Sequence, residues 1–228
     1  MRRLPVYLLL DTSGSMMGEP IESVKAGVHM LVSSLRSDPY ALETAWLSII
    51  TFDSQVTQTV PLTELAQFQE PALNASGVTS MGAALALLAG AIEREVQKST
   101  PEQKGDWKPV VFLLSDGMPT DDIDRGIAAM KSVKTGAFVA CAAGAGCDTS
   151  VLKRITESVV HLDTADSTSI KSFFKWVSSS ISVSSQKIER GAKEVSGLAD
   201  LPPPLPKSMS FFKFYKGEHA HGHQSQKR

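Results

Sequence analysis

The 228-residue chain reads as an α/β fold: a three-layer α/β/α sandwich built on a mostly parallel six-stranded sheet with one antiparallel edge strand, followed by an extended C-terminal tail. Three observations predict it. An unbroken apolar run at 4–10 and the stretch "KPVVFLLSDG" at 108–117 have the character of strands buried on both faces, which is the mark of a parallel sheet. Such runs alternate along the chain with stretches of helical periodicity, and right-handed crossovers then place helices on both faces. Residues 45–52 and 56–62 lie too close in sequence for a crossover, so they form an antiparallel hairpin.

The elements follow in order. Strand one, 4–10, ends in Asp11. Pro20 suits a helical first turn, and Ile21, Val24, Val28, Leu31, Val32 and Leu35 recur at helical spacing, which predicts a helix over 19–36 closed by "SDP". "AWLSIITF" (45–52) is the second strand. "VTQTVPL" (56–62) alternates, and its Pro61 marks an edge. The polar turn "SGVTSMG" (76–82) opens an Ala- and Leu-rich helix at 81–98. A strand at 108–117, a helix at 122–132, a strand at 136–144, a short helix at 148–156, a strand at 158–162 and a closing helix at 167–182 complete the body. We divide the chain into a folded body at 1–186 and a tail at 187–228. In the tail, "LPPPLP" (201–206) favours polyproline II, "SMSFFKFYKG" (208–217) is aromatic and basic, and "EHAHGHQSQKR" is polar and expected to be disordered. The aromatic segment docks either on its own domain or on a partner.

Composition narrows the function classes. Net charge is −1, with 15 basic and 20 acidic residues in 1–186 (−5) and 8 basic and 4 acidic in 187–228 (+4). That balance gives no footprint for nucleic acid. Two cysteines, Cys141 and Cys147, make neither a disulfide framework nor a zinc ribbon, and read as buried thiols. No secretory signal and no span of about 20 apolar residues is visible, so a cytoplasmic protein away from membranes is expected.

The chemistry concentrates where strands end. In open α/β sheets ligands bind outside the carboxyl ends of the strands, where strand order reverses. Two strands end there in acids, Asp11 and Asp116. In "DTSGS", side chains at spacing two point the same way, so Asp11, Ser13 and Ser15 aim oxygens at one point, and Thr79 can add another hydroxyl. Two carboxylates and three alcohols are hard ligands that suit Mg2+, with Ca2+ or Mn2+ possible, and not zinc or copper. Such a site keeps an open position that a partner's carboxylate would fill.

These residues resemble the metal-ion-dependent adhesion site of the von Willebrand factor A family, whose pattern is DxSxS, a loop threonine and a later aspartate. Here the matching positions are Asp11, Ser13, Ser15, Thr79 and Asp116, over roughly residues 4–182. The segments "MRRLP", "SDPYALE" and "KGDWKPVVFLLSDGMPTDD" also resemble the tellurium-resistance-associated TerY family. That resemblance implies a non-enzymatic bacterial adaptor in a stress-response system, with a protein kinase and a phosphatase among its partners.

Other readings compete. A magnesium-dependent phosphatase on a similar sheet would use DxD, but its general acid falls on Ser13, and no lysine sits in the site loops to hold phosphate. A nucleotide binder would need a glycine-rich phosphate loop in place of the acid of "DTSGSMMG". Asp53 reads as a solvated strand-end acid, and Asp121, Asp122 and Asp124 as the charged start of a helix. His29 and His161 read as ordinary structural histidines, and "HAHGH" (219–223) as a solvated tail. Met16 and Met17 are candidates for an apolar rim around the site.

Overall fold

The computed structural model describes residues 2–144, 147, 149–189, 201–202 and 209–212. Its strands are β1 (Leu4–Asp11), β2 (Ala45–Phe52), β3 (Val56–Glu64), β4 (Val110–Ser115), β5 (Ala137–Ala143), β6 (Ser158–Leu162) and β7 (Met209–Phe212). Its helices are α1 (Glu19–Arg36), α2 (Pro39–Thr44), α3 (Met81–Glu95), α4 (Ile123–Met130), α5 (Thr149–Ile155) and α6 (Ser167–Glu189). The sheet order is β3-β2-β1-β4-β5-β6-β7. β1, β2, β4, β5 and β6 run parallel, and β3 is the expected antiparallel edge.

The alternation of side chains along β1 divides the core in two. Leu4, Val6, Leu8 and Leu10 face one layer, with α1, α2 and α6. Tyr7 and Leu9 face the other, with α3, α4 and α5. All eight residues of β1 are buried, the cost of a central strand covered on both sides. Close helix packing is built into the first layer at Gly27, where an added Cβ would lie 2.2 Å from the ring of Phe174 on α6. In the same layer Trp176 meets Phe112 in a T-shaped contact at 5.9 Å and Phe173 in a tilted one at 6.1 Å.

Three features differ from the sequence expectation. "SDP" does not merely stop α1. Asp38 caps a new helix, accepting from the amides of Tyr40 and Ala41, and Pro39 occupies its first turn. The closing helix extends to Glu189, past 182. The tail contributes a seventh strand, β7, antiparallel to β6, so residues 209–212 of the aromatic segment return to their own domain. Ahead of it, Leu201 is buried in the first layer and the carbonyl of Pro202 accepts from Trp176 Nε1 at 2.8 Å. Most of "LPPPLP" and all of "HAHGH" lie outside the described residues. Among the described residues no helix is long and apolar enough to cross a membrane.

The order reverses between β1 and β4, which lie side by side in register from Val6–Val110 to Leu10–Leu114. Their carboxyl ends therefore open onto one crevice, the position where such sheets hold ligands.

Candidate metal centre

Three loops meet at that crevice. The first leaves β1 at Asp11 and makes a single 3-10 turn over Gly14–Met16 before α1. The second precedes α3 and carries Thr79. The third follows β4 and carries Asp116. Backbone hydrogen bonds stitch them together: Gly14 N donates to Gly77 O at 3.0 Å, Ser76 N to Thr12 O at 2.8 Å, and Thr120 N to Thr79 O at 2.9 Å. Gly77 has φ 69°, in the left-handed region that glycine tolerates, and a Cβ there would lie 2.1 Å from Ser54 Oγ. Neither the turn nor the contact admits another residue.

The five residues singled out from the sequence come together here. Ser13 and Ser15 hydroxyls are 3.0 Å apart, and Ser15 Oγ donates to Asp116 Oδ1 at 2.7 Å. Thr79 Oγ1 and Ser15 Oγ lie 3.4 and 3.6 Å from the same point, the position of a Cβ on Gly117. Glycine at 117 thus leaves room between the second and third loops. Asp11 is fully buried. One of its oxygens accepts from Ser13 N at 2.8 Å, the other from the hydroxyl of Ser115.

Ser115 is a participant the sequence reading missed. A serine inside a strand buried on both faces needs a partner, and that requirement was the available signal. Its hydroxyl holds the Asp11 carboxylate in orientation from the neighbouring strand. Asp121 was also misassigned. It does not begin α4 but caps α3 from the third loop, accepting from Gly82 N at 2.9 Å and Ala83 N at 2.8 Å. Asp122 caps α4, accepting from the amides of Asp124 and Arg125, and Asp124 pairs with Arg154. Asp53 closes its own turn, accepting from Gln55 N and from the Thr12 hydroxyl. His29 faces Glu70 at 3.1 Å and His161 faces Asp163 at 3.8 Å, both away from these loops. Met16 is fully buried and contributes nothing to a rim, whereas Met17 is 64% exposed. Both cysteines are free and buried, and burial pushes the Cys141 thiol well up.

The electrostatics are unbalanced. Burial pushes the Asp11 carboxyl above its usual range. Hydrogen bonds from Ser115 and Ser13 pull it back, and the charge of Asp116 adds to the rise. No Lys, Arg or His occurs in 11–18, 53–55, 73–80 or 115–122 to compensate. The donor set is oxygen throughout, and among the described residues no group of three or more His, Cys, Asp or Glu side chains forms an alternative site. Two carboxylates lined by hydroxyls, on loops without a Lys, Arg or His among the described residues, fit a hard divalent ion.

The family pattern agrees with this fold and crevice over residues 6–176, which match the von Willebrand factor type A domain. The chain belongs to that family. Its vWA fold is also similar to solved structures. Proximal thread matrix protein 1 from the mussel byssus aligns with TM-score 0.60 at 18% identity, covering 78% of this chain and 48% of that one. A von Willebrand factor type A protein from Catenulispora acidiphila aligns with TM-score 0.60 at 17% identity, covering 80% and 43%. The ArnB paralog VWA2 from Sulfolobus acidocaldarius aligns with TM-score 0.53 at 14% identity, covering 81% and 45%. This vWA chain spans less than half the length of each of those three. A second structure of the mussel protein has a zinc-occupied MIDAS motif. No curated protein matches the chain in sequence.

Proposed function

We propose that this chain is a non-enzymatic, metal-dependent protein–protein interaction module. Asp11, Ser13, Ser15, Thr79 and Asp116 hold a divalent cation, Mg2+ by preference with Ca2+ or Mn2+ as substitutes, and an Asp or Glu of a partner protein completes its coordination. The observation that carries the reading is the crevice between β1 and β4. Five hard-ligand side chains from three interlocked loops converge there, and among the described residues those loops carry no cationic side chain to balance the two carboxylates. The zinc-occupied MIDAS motif of the mussel protein supports the idea that this fold carries metal at such a motif. The binding body is the sheet with its helices, and the boundary drawn at 186 falls inside α6, with β7 of the tail completing the sheet. Ser13 stands where a phosphatase of the DxD kind needs its general acid, which favours binding over hydrolysis. The finer assignment is a cytoplasmic bacterial adaptor of the TerY kind, working with a protein kinase and a phosphatase in tellurium resistance. It rests on the sequence segments quoted above.

The test is calorimetric titration of Mg2+ and Mn2+ into the wild type and Asp11→Ala, paired with partner capture in EDTA and after magnesium is restored. The reading expects saturable metal binding that Asp11→Ala abolishes, and partner capture that EDTA removes and magnesium returns. Capture indifferent to EDTA rejects it.

A further inference from the structure

Among the described residues the large apolar side chains left in solvent are Met17, Tyr40, Leu42, Val78 and Met118. Three of these five sit on the three loops of the candidate metal centre, one on each. Met17 lies two residues after Ser15, Val78 one before Thr79 and Met118 two after Asp116. Their exposures are 64, 51 and 45%, while the neighbouring Met16 is wholly buried. The loops are pinned to one another through Gly14–Gly77, Ser15–Asp116 and Thr79–Thr120, so these side chains belong to one preformed surface. Exposed methionine suits such a surface, since its unbranched thioether adapts to differing partners.

The polar groups around them are already occupied. Asp53, Asp121 and Asp122 spend carboxylate oxygens on the amides of Gln55, Gly82, Ala83, Asp124 and Arg125. The loops offer no Lys, Arg or His to a second or third partner carboxylate. An anionic residue is therefore welcome only at the ion itself, and further acids beside it are repelled.

We infer that the surface selects a partner loop presenting one carboxylate between large apolar side chains, and discriminates against acid-rich segments. This rests on the metal-dependent reading above. The ion supplies the attraction for one carboxylate, while Met17, Val78 and Met118 bury the flanking residues and set the preference among acid-bearing partners. Desolvating the flanks also excludes water from the ion–carboxylate contact.

The experiment uses the full chain labelled with 13C at methionine methyls and three short capped peptides with cores Leu-Glu-Leu, Ser-Glu-Ser and Glu-Glu-Glu. Each is titrated in Mg2+ and in EDTA. The Leu-flanked peptide is expected to shift the Met17 and Met118 methyls in Mg2+ alone, and to bind about tenfold or more tightly than either of the others. In the variant Met17→Ser/Val78→Ser/Met118→Ser the preference disappears, while the affinity for Mg2+, measured without peptide, stays within about twofold. Equal affinity for the Leu- and Ser-flanked peptides, or a preference that survives in the triple variant, overturns the inference and leaves the metal site standing. Failure of the wild type to bind Mg2+ or Mn2+ at all overturns both.

Discussion

The two ends of the central sheet treat acidic side chains in opposite ways. At the amino-terminal end, the Asp106 side chain is buried and receives Arg3 through two bonds, at 2.8 and 2.5 Å, together with Gln97 N at 2.7 Å. Arg3 lies over Trp46 at 4.6 Å and Arg2 over Trp107 at 5.0 Å, so both guanidinium groups stack on indoles as well. Asp106 in turn holds Arg3 above its ordinary range through their hydrogen bond. At the carboxyl-terminal end, Asp11 is equally buried but meets only hydroxyls and an amide, and its nearest charged neighbour is another carboxylate. The fold gives the buried acid at the amino-terminal end a guanidinium, and among the described residues it gives the buried acid at the crevice none.

Breaking the balanced end should cost most. Asp106→Ala removes the counter-charge of a partly buried Arg3, and we expect a loss of about 3 kcal/mol in urea unfolding. The unbalanced end should respond in the reverse sense. Asp11→Asn keeps an oxygen to accept from Ser13 N, turns its NH2 toward the Ser115 hydroxyl, which can accept, and removes a desolvated charge, so unfolding in EDTA should be unchanged or harder. On the metal-binding proposal, Mg2+ at a hundredfold excess over Kd should stabilise the wild type by about 2.7 kcal/mol and the variant not at all. A variant that loses stability in EDTA as heavily as Asp106→Ala would erase the contrast.

A third test uses pH. Tyr7 is buried on β1 and donates to Glu95 at 3.0 Å. Burial, then the Glu95 charge, pushes its hydroxyl well above the ordinary value near 10. The folded state keeps this proton where the unfolded chain releases it. The contribution is therefore whole below about pH 10 and lost as pH rises beyond it. Alkaline unfolding of the wild type should steepen above pH 10, and Tyr7→Phe should flatten that limb. The smallest effect belongs to the exposed Asp124–Arg154 pair: Arg154→Ala should change stability by no more than about 0.5 kcal/mol, at the edge of detection by chemical unfolding.

How much of this was legible in the sequence depended on whether the signal was local. The bounds of α1 and β2 follow directly from periodicity, Pro20 and the flanking turns. Asp11, Ser13 and Ser15 announced themselves because DTSGS places them at alternate positions after a buried run, Asp116 because a second run also ends in an acid, and Thr79 through the loop threonine of the family pattern. What escaped was decided across the fold. Pro39 reads equally well as a stop or as the first turn of another helix, and Asp38 settles it only by capping. Ser115 looks like the last residue of an apolar run until Asp11 is found beside it. Asp121 sits next to α4 in sequence but serves α3 in space. β7 follows a proline-rich segment that suggests departure, and its pairing with β6 depends on an edge invisible in the linear chain.

That pairing has a practical corollary. Cutting the polypeptide at residue 186, where periodicity fades, would strip β6 of its outer neighbour and leave a row of amides and carbonyls open along the sheet. Such a fragment should stick to itself at concentrations where the intact chain remains monodisperse. Anyone shortening the protein for biophysical work should therefore keep it at least through Phe212.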